Sequence, residues 1–144
     1  MSTLEDVSMV AATVATGLSA GVFYTLQVSI VPALAEVDDA TYVTTFQSIN
    51  RTIVNPWFVS VFLGAPMLAG AALALQVASI AITVAGNIPL NEALDREGVV
   101  TGAAATAART AFEGRWNRLH LARTITSVAS FVAFGIASVL TSHG

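Results

Sequence analysis

The densest chemistry in this sequence is the run Arg115-Trp116-Asn117-Arg118-Leu119-His120-Leu121-Ala122-Arg123. On a helix, Trp116, His120 and Arg123 stand at i, i+4 and i+7, so one face carries an aromatic plane, a titratable base and a fixed cation. Histidine changes charge near neutral pH and suits general-base work. An arginine at a membrane boundary also has a structural explanation, as does a tryptophan. That explanation covers Arg115, Trp116 and Arg118, and it covers His120 less well. It also leaves Asn50, Asn55, Asn87 and Asn91, which stand at other boundaries of apolar segments. Asparagine both donates and accepts, so it can hold a polar ligand or another buried polar group. From the residues alone, a ligand site and a wetted boundary both stay open.

Other chemistries are disfavoured. The chain has no Cys and only two His, His120 and His143. Zinc, copper and iron need several converging imidazole, thiolate or carboxylate ligands. Glu113 and His120 lie about 10.5 Å apart along one helix and cannot share an ion directly. No metal and no cofactor is expected. A Ser-His-Asp arrangement has no signature, and a net charge of −3 speaks against nucleic acid as a partner.

The elements that position these residues are membrane spans. Hydrophobic residues make up 55% of the chain and charged ones 10%, against roughly 25% charged in an ordinary soluble domain. No charge occurs in Val7–Ala35, Thr52–Asn91 or Thr124–Gly144, and an apolar stretch of about 18 residues is enough to cross the hydrocarbon. The acidic start, Met1 to Asp6, lacks a basic region, so the first apolar stretch reads as a retained span, not a cleaved signal. The expected fold is all-α: one domain, an integral membrane four-helix bundle with a short amphipathic interfacial helix. Its spans are placed at about 7–34, 56–74, 76–88 and 124–140. The first ends near Pro32 and carries Gly17 and Gly21 at GxxxG spacing, a close-packing face. Asp38 and Asp39 start the amphipathic helix, with Tyr42, Phe46, Ile49 and Ile53 on its apolar side. Asn55-Pro56-Trp57 opens the second span, and Gly86 to Asn91 closes the third. A polar link from Glu92 to about Ala108 leads to a helix over Arg109–Arg123. The last span sets Ala129, Ala133 and Ala137 four apart. The faces of Gly17/Gly21 and Ala129/Ala133 could also pair two copies into a homo-oligomer.

The segment Pro56–Ile88 is hard to accommodate. As one helix it would be about 50 Å long; as a hairpin, each arm would be roughly 22 Å, too short to cross. The positive-inside tendency favours the hairpin, which gathers all six Arg on one face, placed in the cytoplasm of a bacterial membrane. The lengths then imply that a stretch of chain is missing, with a break between about Gly70 and Ser79.

Five segments together resemble the anthrone oxygenase-like family of small membrane proteins: Gly17-Leu18-Ser19-Ala20-Gly21-Val22-Phe23-Tyr24, Ile49-Asn50-Arg51, Asn55-Pro56-Trp57-Phe58, Gly86-Asn87-Ile88-Pro89-Leu90-Asn91 and Arg115 to Arg123. They occur in the family's order over nearly the whole chain. The family pattern has four spans and a longer connection between the second and third than this chain has. Its named members oxidise anthrones to anthraquinones with dioxygen and neither metal nor flavin. The resemblance implies that His120 is the general base, and that Arg123 and Asn87 or Asn91 stabilise the enolate oxygen. Trp116, Trp57 and Tyr24 would form flat walls for a lipophilic aromatic substrate, with Asn117, Asn55, Asn50 and Arg51 around it. The other class of function is a non-catalytic membrane protein, a small-molecule binder or a subunit of a larger assembly. An enclosed pocket lined by His120, Trp116 and the Asn residues favours the first, a solid core there the second.

Overall fold

The computed structural model describes residues 3–64 and 73–142 and is all-helical, with no strand among them. Among the described residues seven helices follow in order: α1 (Thr3–Thr25), α2 (Val31–Ala35), α3 (Asp39–Ile53), α4 (Pro56–Gly64), α5 (Leu73–Ile82), α6 (Ile88–Arg96) and α7 (Gly102–Ser142). Single π-helical turns, Leu26–Ile30 and Thr83–Asn87, join α1 to α2 and α5 to α6. Each precedes a proline by two residues, Pro32 and Pro89. A proline lacks the N–H of the regular ladder and crowds the carbonyl four residues back, here Val28 and Ala85. Both lie inside the widened turns, so the wider winding accommodates the ring and the helix continues. The first helical stretch therefore does not end at Pro32, nor the third at Pro89. Residues 92–96 are helical, and the link expected over 92–108 shrinks to the turn after Arg96.

Among the described residues three stretches are long and apolar enough to cross a membrane: Val7–Ala35, Ala74–Arg96 and Gly102–Leu140. The helix expected over Arg109–Arg123 and the span expected after it are one 41-residue helix. At 1.5 Å per residue it is about 60 Å long, twice the hydrocarbon thickness.

This length divides the molecule into two halves with opposite cores. Around the first half of α7 the interior is apolar, with Leu34, Tyr42, Val43, Phe46, Leu94, Phe112 and Trp116 in one cluster. Around the second half the lipid-facing side chains are Val14, Leu18, Val77, Ile125, Val128 and Val132, all exposed, while Thr16, Ser19, Gln76, Ser79, Ser127 and Ser130 are buried. Lipid tails are as apolar as any core, so a membrane half gains nothing by hiding leucine.

α3 belongs to the first half. Asp38 caps it by accepting from the Ala40 and Thr41 backbone N–H groups, and Thr41 Oγ1 donates to the same carboxylate at 2.6 Å. Its Phe46 ring packs edge-on against Phe112 and Trp116 of α7, at 4.7 Å each, so its apolar side faces α6 and α7. Arg109 of α7 binds Asp39, Glu113 and the Val37 carbonyl and lies over the Tyr42 ring at 4.5 Å. Burial, with the nearby Glu113 charge, pushes the Tyr42 phenol above its ordinary range despite Arg109. Gln47, buried, donates from Nε2 to the carbonyls of Leu94 at 2.8 Å and Gly98 at 3.0 Å. That closes the turn after α6, where Gly98 has φ +64.

α5 runs unbroken through Leu75 and Gln76, so no gap falls there; residues 65–72, including the end of the expected second span, lie outside the described residues. Phe58 and Phe62 of α4 line one cavity with Thr83 and Ile88. The two segments therefore lie side by side, not end to end as in one straight helix. α1 and α7 pack antiparallel. Thr13 meets Ser138, and a Cβ on Gly17 would stand 2.8 Å from the Phe131 ring. Gly17 is a packing face within the chain. Nothing lies within 4 Å of a Cβ on Gly21.

Two outcomes follow for stability in detergent. Gln47→Met removes the side-chain donor from the Gly98 carbonyl, while that of Leu94 keeps the Glu97 N–H, and should cost about 1–3 kcal/mol in unfolding experiments, with faster amide exchange at Val99 to Thr101. Gly17→Ala should cost about 1 kcal/mol by crowding Phe131, while Gly21→Ala should stay within about 0.5 kcal/mol of the parent. Equal losses at the two glycines would show that Gly21 is packed as well.

Candidate functional site

A cavity of about 140 Å³ sits where the two halves meet. Phe23 comes from α1, Phe46 and Asn50 from α3, Phe58 and Phe62 from α4, Asn91 from α6, and Trp116 and Arg123 from α7. Its wall combines five aromatic side chains with eight aliphatic ones. Phe58 and Phe62 stand four apart on α4 and stack at 5.7 Å, and Phe23 meets each of them edge-on.

Arg123 is the cation of this wall. It is 6% exposed, and its guanidinium lies 4.5 Å from the Phe23 ring centre and 5.3 Å from that of Trp116. Among the described residues no carboxylate comes within ion-pair distance of it. A guanidinium in a dry site is favoured by aromatic faces, but two rings do not neutralise it. Arg123 Nε donates to His120 Nδ1 at 2.9 Å. Arginine can only donate, so Nδ1 accepts and a neutral His120 carries its proton on Nε2.

His120 is fully buried. Its ring stacks on Trp116 at 4.6 Å and meets Phe23 edge-on. It does not line the cavity; it stands behind Arg123 and holds it. Its Nε2 has no partner within hydrogen-bond geometry, although the Phe23 carbonyl faces the ring.

The asparagines divide. Asn91 lines the cavity and accepts from Trp116 Nε1 at 2.8 Å, fixing the indole. Asn50 lines it, and its amide nitrogen has no partner among the described residues. Asn87 is fully buried and lies off the cavity wall. Its amide reaches the Trp116 carbonyl at 3.5 Å, and its Oδ1 is unpaired. Asn117 is half-buried on another face of α7. Asn55 caps α4: its Oδ1 accepts from the Phe58 N–H and its Nδ2 donates to the Thr52 carbonyl. Arg51 is exposed and paired with Asp95 at 2.9 Å. Trp57 is 84% exposed and Tyr24 is 56% exposed. Neither lines the cavity, so the flat walls expected of them come from Trp116 and four phenylalanines.

Those phenylalanines were legible in part. Phe58 and Phe62 stand one turn apart behind the Asn55 cap, and Phe23 is four residues before Gln27 on the buried side of α1. The amphipathic pattern of α3 puts Phe46 on its apolar side but does not say that Phe112 and Trp116 of α7 cover it. Thr83, one turn before Asn87, completes the inner face of the third stretch.

Comparison with known proteins gives a family match. The model described as anthrone oxygenase matches residues 58–133, just over half of the chain. That range holds the segments Gly86–Asn91 and Arg115–Arg123 and eight of the seventeen residues that line the cavity, while the segments before Phe58 lie outside it. No curated protein and no solved structure matches the chain.

Arg123 gives the cavity a charge preference that can be read by fluorescence. With Trp57→Phe as background, emission reports Trp116 alone, since the chain has two Trp. Benzoate should quench it with an affinity about tenfold to a hundredfold above that of neutral benzamide, the range for a hydrogen bond to a charged group. Arg123→Met should abolish the difference. Equal binding of the two ligands to the parent would show that Arg123 does not meet the ligand.

Proposed function

The chain belongs to the anthrone oxygenase family, and we propose that it is a cofactor-independent membrane oxygenase whose cavity takes a lipophilic phenolic or polycyclic aromatic. The observation that carries this reading is a cavity lined by aromatic and aliphatic side chains, with a buried Arg123 in its wall that has no carboxylate partner among the described residues. Such a cavity selects a flat, apolar molecule able to bear negative charge on oxygen. A dry cavity of about 150 Å³ holds one benzene ring, so one ring of a polycycle fills this cavity and the rest extends through the mouth beside Val54 and Val59.

The chemistry asks little of the protein. A methylene flanked by two aromatic rings and conjugated to a carbonyl gives a stabilised carbanion once a base takes its proton. Arg123 offers its N–H groups to the enolate oxygen, with Asn91 and Asn50 as further polar groups on the wall. When Arg123 turns to that oxygen it releases His120 Nδ1, which is then free to act as the base. The carbanion adds dioxygen, the peroxide takes back one proton, and the hydroperoxide eliminates water to leave the new carbonyl. One methylene and one dioxygen become one carbonyl and one water, with no net proton gained or lost. Asn87 supports the Trp116 turn from behind, and Trp57 and Tyr24 stand at the membrane boundary as anchors.

The same reading extends to topology. Four passes, with α4 beginning the second and α3 lying at the interface, bring the cavity and all six Arg to the cytoplasmic face of the membrane. Self-association, if it occurs, falls to the open side at Gly21 and the half-buried Ala129 and Ala133.

The test is direct. Purified protein in micelles, given anthrone and dioxygen, should form anthraquinone with equimolar dioxygen uptake, and labelled dioxygen should appear in the new carbonyl. Arg123→Met should lower turnover by about a hundredfold or more, as for loss of an oxyanion donor, and His120→Gln by about 10² to 10⁴. Binding of the aromatic without turnover would instead make the protein a non-catalytic small-molecule binder.

A further inference from the structure

Four of the six arginines are committed within the protein. Arg51 pairs with Asp95, Arg96 with Glu92, and Arg109 with Asp39 and Glu113, while Arg123 is bound to His120. Arg115 and Arg118 are the other two. Both are exposed, and neither has an ion-pair partner among the described residues. They stand three apart on α7, so both side chains leave the helix on one face. Glu113, two residues before Arg115, points to a different face and is held by Arg109.

The two arginines line an open groove of about 370 Å³ that shares no residue with the aromatic cavity. Its remaining walls are Ile82, Ala85 and Gly86 on one side and Leu119 of α7 on the other. At its floor the two segments touch, since a Cβ on Gly86 would stand 2.9 Å from Leu119 Cδ1. The groove has a direction. Arg115 and Arg118 belong to the half of α7 that meets water, one turn or less from Leu119. Ile82 lies one turn the other way, toward the contact of Ser79 with Ser127 in the half that meets lipid. Helical spacing carries both walls one turn deeper through Ala78 and Ala122, which are half-buried and small. Cations therefore stand at the water end and apolar side chains at the lipid end.

We propose that this groove is a binding site for one anionic glycerophospholipid, with its phosphodiester between Arg115 and Arg118 and an acyl chain along Ile82, Ala85 and Leu119. The order of groups in the groove is the order of groups in such a lipid. Guanidinium forks match phosphate oxygens two at a time, so two arginines on one face suit a phosphodiester. Basic pockets between membrane helices take lipid headgroups for the same reason. A free anion would satisfy the arginines and leave the apolar wall uncovered. A zwitterionic lipid brings its own cation to two arginines that have no carboxylate beside them. An anionic lipid meets both ends at once. The site stands apart from the oxygenase reading, since no residue of the cavity takes part.

The experiment uses the full chain, methyl-labelled, in zwitterionic micelles. Added phosphatidylglycerol should shift the Ile82 and Leu119 methyl signals to saturation, while phosphatidylcholine and inorganic phosphate at the same concentration should not. Arg115→Gln and Arg118→Gln should each weaken the lipid about fivefold, the worth of one arginine beside an anionic headgroup. Both side chains are exposed and without ion pairs, so neither change removes a contact that the fold needs. Ala85→Leu, which fills the groove and keeps both charges, should weaken the lipid as well. Arg96→Gln, an exposed arginine outside the groove, should leave it unchanged. An absence of saturable shifts in the folded parent would overturn the site, whatever the variants do. An equal response to phosphatidylcholine would leave only ordinary lipid packing, and an equal response to inorganic phosphate would make it a free-anion site. An equal loss in Arg96→Gln would assign the effect to the charge of the whole surface, and not to the groove.

Discussion

The arrangement of this molecule depends on burying one guanidinium without a carboxylate. Arg123 lies at the level where the apolar core of one half gives way to the polar core of the other. Moving a cation into a site of low dielectric is costly unless it is paired or hydrogen-bonded. Here the compensation comes from the Phe23 and Trp116 rings and from a bond to a neutral imidazole. Each has a support of its own. Asn91 holds the Trp116 indole, Phe46 and Phe112 press on its faces and edge, and Trp116 in turn stacks on His120. A carboxylate in place of this shell would neutralise the charge and leave the cavity nothing with which to attract an oxyanion.

The inversion of the core follows from the solvent on each side. The half carrying Asp39, Arg51, Asp95 and Glu113 meets water, so its helices associate by hiding Phe46, Leu94, Phe112 and their neighbours. The other half meets lipid, where association comes from close packing and hydrogen bonds between helices. Gly17 against Phe131 and Ser79 against Ser127 are the two devices in use. α7 passes through both regimes as one helix, and its buried face changes from Phe112 and Trp116 to Ser127 and Ser130 within a few turns.

The π-helical turns connect these regimes to the site. Residues four apart drift around an ordinary helix, and a widened turn offsets the drift. With the second widened turn at Thr83–Asn87, Thr83, Asn87 and Asn91 all keep to the inner side, toward α7. The first does the same service before Pro32, carrying the helix on to bury Leu34 in the apolar cluster.

Some of this was fixed by the chain itself. Composition and uncharged stretches determine membrane helices, because no other all-apolar segment of that length is soluble. Spacing on one helix puts Trp116, His120 and Arg123 on a common face, and Asp38 and Asn55 are capping residues wherever their helices go. The two prolines mark where the ladder must be disturbed, but their sequence cannot say whether a helix stops or widens; here the packing of α6 and α2 favoured widening. Nor can one-dimensional spacing decide between neighbours such as Phe23 and Tyr24, which differ by about 100° around a helix. Only the approach of α4 and α7 sends the first to the cavity and the second outward. The same holds for Trp57 and Phe58. That His120 stands behind Arg123, bound to it through Nδ1 and set against the Trp116 and Phe23 rings, depends on helices distant in sequence. Tertiary structure alone decided it, because a side chain's chemistry is set by what surrounds all of its faces, and a helix supplies only one.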